Sequence, residues 1–417
     1  MAKKTAPAFP IEIDAARRPP LGMSPAAFLR DYWQKRPLLI RNAFPGLQSP
    51  LQPEDLAGLA CEEGALARLI QHDRARDHYS VRHGPFEESD FPGLPRQDWT
   101  LLVQDVDKWD ADVAALLPAF AFLPRWRIDD VMISFAAPGG SVGAHVDQYD
   151  VFLLQGQGHR RWQIDARPNP PQDFRNDAEL KLLREFEPSH EWLLGPGDML
   201  YLPPGVPHHG VAEDACLTFS IGMRAPSSAE LMGDYIDTLA ADADEALRYA
   251  DPDLAPPRDP NEIDAAAMQR AVQALNALRM NDPDRLGDWF GRFITVYRAA
   301  GEVSAGGASA GAGRTGIRPR PGRDAVAPSV VAHGLAPRPR QGGAARLYVS
   351  GQEFALPAKD AQALAAAAEL DLAGYSALSA AGRDCVLALV AGGHYRLGRD
   401  DQDDADGYDG EDGGEEE

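Results

Sequence analysis

Between residues 98 and 225 the apolar side chains come in short runs, each closed by glycine or proline. Examples are "DVMISFAAPGG", "YDVFLLQGQGHRRWQI", "EWLLGPGDMLYLPPG" and "CLTFSIGMR". Short strands at regular spacing with turn signals between them predict a β-sandwich or barrel. On the N-terminal side, "SPAAFLRDYWQ" (24–34) reads as a helix that Ser24 caps, with Pro25 in its first turn. "RPLLIRNAF" (36–44) reads as a strand entering the core. The pattern changes after Pro226. "SSAELMGDYIDTL" carries a capping box, Ser227 with Glu230, and apolar residues at Leu231, Tyr235, Ile236 and Leu239. "MQRAVQALNAL" and "RLGDWFGRFITVY" keep helical spacing, so a helical block is expected over 227–300.

Residues 301–345 are rich in Gly, Ala and Pro and read as a flexible linker. A fold signal returns over 346–400: a hairpin in "RLYVSGQEFALP", then Ala/Leu-rich helices, as in a small winged-helix-like unit. Residues 401–417 hold ten acids and no base and read as a disordered acidic tail. The expected class is α+β, with a β domain over 1–226 whose core is about 98–225.

Charge bounds the partners. The chain has 417 residues, 63 acids against 41 Lys and Arg, and a formal charge of −22. That balance argues against direct nucleic-acid binding, which needs a basic surface, and suits a basic protein partner. No run of 18 apolar residues appears, so no membrane span is expected. "MAKKTAPAFPIEID" lacks an apolar h-region, so no secretory leader is expected. Cys61, Cys216 and Cys385 lie far apart without CxxC spacing, which fits a reducing cytoplasm better than a disulfide framework.

Three stretches carry chemistry. In "GAHVDQYDVF" (143–152), His145 and Asp147 are two apart and share a face if the segment is a strand. A distant histidine would complete a 2-His-1-carboxylate set, which holds Fe(II) and leaves positions for a cosubstrate and dioxygen. His145 opens the only His-x-Asp/Glu triplet in the chain, and it follows the Gly-rich turn "PGGSVGA". About sixty residues on, "PPGVPHHGV" offers His208 and His209. Neighbours on an extended chain point to opposite faces, so one of the pair is the expected ligand; strand parity does not say which. The bland alternative is a surface HxD and a pair of turn histidines. In "QGQGHRRW", Arg160 shares its face with Trp162, and Arg161 with Gln163. An inward arginine suits the distal carboxylate of 2-oxoglutarate, which a guanidinium grips with two bonds.

"FLRDYWQKRPLLIRNAF", "WTLLVQDVD", "DDVMISFAAPGGSVGAHVDQYDVFLLQGQGHRRW", "GDMLYLPPGVPHHGV…TFSIGMRAPS" and "RYADPDLAPP" together resemble the bacterial JmjC ribosomal oxygenases of the YcfD/RoxA type. The likeness covers about residues 20–300 in order. It implies a cupin double-stranded β-helix, then a helical dimerisation region and a winged-helix-like domain. It implies Fe(II), 2-oxoglutarate and dioxygen as the reacting set, and hydroxylation of an arginine of a basic large-subunit (50S) ribosomal protein by a homodimer. It selects His208 to complete the metal set with His145 and Asp147, since His209 sits where the family pattern has no ligand. It gives Arg160 the 2-oxoglutarate carboxylate; relatives that hydroxylate histidine usually have lysine there. Asp130, Met132, Tyr149 and Ser220 match the family's substrate pocket. Residues 301–345 and the acidic tail depart from the family pattern. Two rivals stay open: the same chemistry on a histidine or another protein residue, and a cupin without catalysis that binds or assembles partners.

Overall fold

The computed structural model describes residues 9–223, 226–256, 259–278, 280–303, 344–367, 370 and 372–392. Most of the expected linker, from 304 to 343, and the acidic tail lie outside them. The described chain falls into two units, divided between Val326 and Ala327.

The first unit begins with β1 (Glu12–Asp14), α1 (Pro25–Asp31), β2 (Leu38–Arg41), α2 (Pro53–Leu59), β3 (Ala67–Asp73), β4 (His78–His83) and β5 (Trp99–Val103). Two short helices follow, α3 (Val106–Trp109) and α4 (Ala111–Ala114), then β6 (Asp130–Ala136), β7 (Asp150–Gln157), β8 (Arg160–Ile164) and β9 (His190–Leu194). β10 (Met199–Leu202), β11 (His208–Ala212) and β12 (Cys216–Met223) complete the β domain. Among the described residues nine strands form one sheet in the order β1-β2-β10-β7-β12-β6-β5-β3-β4, and a three-stranded sheet runs β11-β8-β9. The expected barrel-like β domain is therefore present. The large sheet also reaches back to strands well before residue 98, because β3 and β5 pair alongside β6.

Strand alternation builds the site. Every residue of β12 is buried, since β12 is central, between β7 and β6. Its Leu217, Phe219, Ile221 and Met223 enter the main core. Its Thr218, Ser220 and Gly222 face a cavity on the other side of the sheet. β6 divides in the same way: Val131 and Ile133 go to the core, Asp130, Met132 and Ser134 to the cavity. A period of two thus gives one sheet a dry face and a polar, site-bearing face.

Behind the dry face, α1 closes the core. Ser24 caps it, its hydroxyl accepting from Ala27 N at 3.2 Å, and Pro25 takes the first turn, as expected. Phe28 is fully buried, 5.0 Å from Tyr201 and 5.8 Å from Phe152 between ring centroids. Burying such a ring stabilises by about 1.5–3 kcal/mol.

The helical block follows as α5 (Ser228–Ala241), α6 (Ala265–Asn276) and α7 (Pro283–Val303). The Ser227–Glu230 capping box forms. Tyr235, Leu239 and Trp289 make a small core between α5 and α7, and Trp126 meets Phe290 edge-on at 5.6 Å. α6 buries none of its side chains. In the second unit, the hairpin β13 (Ala344–Val349) and β14 (Gln352–Pro357) precedes α8 (Ala358–Ala366), α9 (Leu372–Ala377) and α10 (Ala380–Ala391). Leu347, Val349, Leu356, Leu364 and Leu389 form its core.

Candidate active site

Two tight turns bring the candidate metal ligands together. Gly143 (φ +82°) precedes His145, and Gly205 (φ +82°) precedes His208; both need the left-handed backbone that glycine adopts freely. His145 does not lie on a regular strand, so the condition under which the HxD spacing would put both side chains on one face is not met. β7 begins only at Asp150, where pairing with β12 starts. Before that point the segment has a single bridge, His145 to His208, with N–H···O distances of 3.0 Å in both directions. That bridge, rather than strand parity, sets the two histidines side by side.

His145, Asp147 and His208 converge, with one ligand atom from each lying within 4.8 Å of the others. The Nε2 of His145 is 3.9 Å from Asp147 Oδ1, and the Nε2 of His208 is 3.6 Å from Asp147 Oδ2. The Nδ1 atoms face away from the cluster. That of His145 lies 3.0 Å from Gly143 O, and that of His208 lies 3.0 Å from Val206 O. A carbonyl only accepts, so each Nδ1 carries the proton and each Nε2 turns a lone pair toward the cluster. Burial pushes the pKa of His208 down to about 4, which keeps it neutral at physiological pH. Its neighbour points elsewhere: His209 meets the edge of Phe186 at 6.1 Å, and its buried Nε2 has no hydrogen-bond partner among the described residues. The ambiguity of "VPHHGV" is resolved in space: His208 faces the cluster and His209 does not.

Arg160 is 3% exposed, on the inward face of β8. Its Nη1 donates to Ser134 Oγ at 3.1 Å and Thr218 Oγ1 at 3.3 Å, and its guanidinium lies 5.1 Å from the Trp162 ring centre. Its buried Nε has no partner, and no carboxylate pairs with it among the described residues. Burial lowers its pKa. A buried guanidinium with neutral partners and an unused donor is a site built for an anion. Arg161 turns outward to Glu213 and Glu191. Ser134 and Thr218 were not singled out in the sequence, although each shares strand parity with a residue that was, Ser134 with Met132 and Thr218 with Ser220.

One cavity of about 630 Å³ joins these groups. Its lining includes His145, Asp147, His208 and Arg160, and also Asp130, Met132, Tyr149 and Ser220. Tyr149 is 38% exposed, in the bend just before β7. Asp130 is partly buried in the cavity wall. Its Oδ2 accepts from the Asp105 backbone N–H at 3.1 Å, and burial, aided by the nearby Asp105 and Asp129 charges, pushes its pKa up to about 8. The start of β7 is held by Asp150, also missed in the sequence. This fully buried carboxylate accepts from Tyr201 Oη (2.7 Å), Gln34 Nε2 (2.9 Å) and Arg127 Nη2 (3.2 Å), and so anchors the end of the HxD segment. The His145, Asp147 and His208 cluster beside an unsatisfied buried cation fits a metal with a dicarboxylate cosubstrate.

Comparison with known proteins agrees. Residues 115–231 match the JmjC domain, and residues 277–396 match the ROXA-like winged helix, a span that starts inside the helical block. The chain is 40% identical over 271 residues to the ribosomal protein uL16 3-hydroxylase of Escherichia coli K12, covering 65% of this chain and 71% of that one. It is 41% identical over 236 residues to a probable ribosomal oxygenase of Haemophilus influenzae, covering 56% of each. The E. coli ribosomal oxygenase YcfD in complex with cobalt and 2-oxoglutarate superposes with a TM-score of 0.70 at 32% identity, over 90% of this chain and 98% of that one. No helix among the described residues is long and apolar enough to cross a membrane. With that fold, that cavity and relatives of this closeness, the chain belongs to the JmjC-domain ribosomal oxygenases, hydroxylases that depend on Fe(II) and 2-oxoglutarate.

Proposed function

We propose that this enzyme hydroxylates an arginine side chain of a basic 50S ribosomal protein, with the uL16 protein, after which the E. coli relative is named, as the first target to test. One observation carries the choice of arginine. In the cavity that holds the metal cluster, the wall includes a carboxylate (Asp130), an aromatic ring (Tyr149), a thioether (Met132) and a hydroxyl (Ser220). Those groups suit a guanidinium on an aliphatic stem: the carboxylate accepts its N–H groups, the ring faces the cation, and the thioether packs the stem.

His145, Asp147 and His208 hold the Fe(II) in this reading. Arg160 holds the distal carboxylate of 2-oxoglutarate, with Ser134 and Thr218 fixing the guanidinium. When bound, the metal with 2-oxoglutarate and dioxygen supplies insertion of one oxygen atom into a C–H bond, with release of succinate and carbon dioxide. The rest falls to the protein: Asp130 and Tyr149 orient the target, and Val151, Leu153 and Ile70 in the cavity wall limit water. The acidic chain attracts a basic substrate over a range set by salt. A homodimer in the cytoplasm completes the reading, supported by exposed Met268, Val272 and Leu275 along α6.

The decisive test compares ribosomal proteins from wild-type and deletion strains by mass spectrometry. One arginine should lose the mass of one oxygen in the deletion strain. An unchanged pattern would sink the assignment, and loss from a histidine would move the target.

Asp130 gives this reading a pH signature. Its pKa in the free enzyme is raised to about 8, so near neutrality it is mostly protonated. A guanidinium stays charged throughout and binds the ionised carboxylate. The peptide KM should therefore fall as pH rises toward about 8 and level off above it. Asp130→Asn should raise the KM and flatten this limb. An unchanged pH profile in the variant would remove Asp130 from substrate contact.

A further inference from the structure

The polar face of the large sheet does not stop at the metal cluster. It continues across β5 to β3, whose Arg68 and Ile70 line the same cavity, as does Leu66 just before the strand, while Ala67 and Leu69 enter the core. Arg68, Arg160 and Lys181 are the Lys and Arg side chains that line this cavity. Arg160 bonds Ser134 and Thr218, Lys181 comes from the loop before β9, and Arg68 alone of the three stands on the large sheet; on neighbouring β4, Arg82 pairs with Asp90 at 2.5 Å. Arg68 has neither an ion pair nor a hydrogen bond from its guanidinium among the described residues, in a chain with 63 acids. It is half-buried and lines the cavity.

A second polar group sits beside it. Arg68 is opposite Leu102 in the β3–β5 register, and Gln104 lies two residues further on, its N–H bonded to Leu66 O at 3.0 Å. Gln104 is thus the diagonal cross-strand neighbour of Arg68, within reach for long side chains. Its carboxamide also lines the cavity and has no hydrogen-bond partner among the described residues. Five guanidinium donors and an amide that both donates and accepts are matched to a peptide main chain.

We propose that Arg68 and Gln104 form a second recognition subsite, which takes a main-chain carbonyl and the adjoining amide of the substrate segment beside the target side chain. This rests on the arginine-hydroxylase reading above. A substrate carboxylate is the poorer occupant, because Asp105, Asp129 and Glu179 line the same cavity. A substrate cation is disfavoured by Arg68 itself. The subsite therefore acts on register: it holds the chain without reading a side chain, and it rejects a basic residue at one flanking position.

The test uses the full-length, iron-loaded enzyme and arginine peptides from the organism's own uL16 protein. A single lysine is walked through the positions on each side of the target. The wild type should show a raised KM at one flanking position. Arg68→Ala should raise the KM of the parent peptide about tenfold, the loss of one charge-assisted hydrogen bond, with kcat changed far less, and should abolish that positional penalty. Gln104→Ala should raise the same KM without abolishing the penalty. Arg82→Ala, which removes a paired cation of β4, should leave the peptide KM unchanged. An unchanged KM and an unchanged lysine profile in Arg68→Ala would overturn the subsite while leaving the target assignment in place. Failure of the wild type to turn over any of the peptides would overturn the target assignment and the subsite together.

Discussion

Arg160→Met should raise the 2-oxoglutarate KM by about 100-fold or more, and it should raise the melting temperature of the protein without cosubstrate. Both effects come from one side chain. Without an anion, the guanidinium is 3% exposed, bonds two hydroxyls and leaves its Nε unpaired. A buried charge with neutral partners is destabilising, and an apolar residue of similar length removes that penalty. A carboxylate of 2-oxoglutarate supplies the missing charge. Breaking a buried, hydrogen-bonded pair of this kind costs about 3–5 kcal/mol, or more than two powers of ten in affinity. Thermal unfolding with and without 2-oxoglutarate checks both halves. The metal-loaded wild type should gain stability with the ligand, and the variant should start higher and gain far less at the same ligand concentration. A variant that kept its 2-oxoglutarate KM would place the cosubstrate anchor elsewhere.

The same arginine shows what the sequence carried and what it did not. Its inward direction was legible, because alternation along "RRWQI" sets Arg160 with Trp162 and the strand exists as read. Its two hydroxyl partners were not, although they were within reach. Ser134 and Thr218 occupy the polar parity of β6 and β12, the parity already assigned to Met132 and Ser220. They meet Arg160 only because β11 and β8 lie across the cavity from the large sheet, and strand order is not written in a single sequence. Asp150 was missed for a similar reason: its partners Gln34, Arg127 and Tyr201 come from three distant segments. Helix boundaries fared better, since caps are local. Ser24 and the Ser227–Glu230 box sit where their side-chain chemistry puts them. The HxD segment is the instructive case. The shared face of His145 and Asp147 was conditional on a strand; the two side chains do converge, but through turns and one bridge, and a period-two argument has no force outside a ladder.

That local geometry makes the choice between the two adjacent histidines a sharp experiment. His208→Ala should abolish iron-dependent turnover, by more than about a thousandfold, and weaken metal binding. His209→Ala should keep most of the activity. The cluster needs three donors, and His208 is one of two imidazoles whose Nε2 faces Asp147 while a backbone carbonyl fixes the opposite nitrogen. Removing it leaves one histidine and one carboxylate, too few to hold a labile divalent ion in competition with water. His209 contributes none of the converging atoms and packs against Phe186. Truncating it leaves a modest void and relieves a buried nitrogen that has no partner, so its effect falls on packing. Metal content after desalting, read beside succinate formation, separates the two cases. His208→Ala should lose both together, and His209→Ala should retain its iron. The opposite pattern would transfer the ligand role to His209 and require β11 to start one residue later than it does.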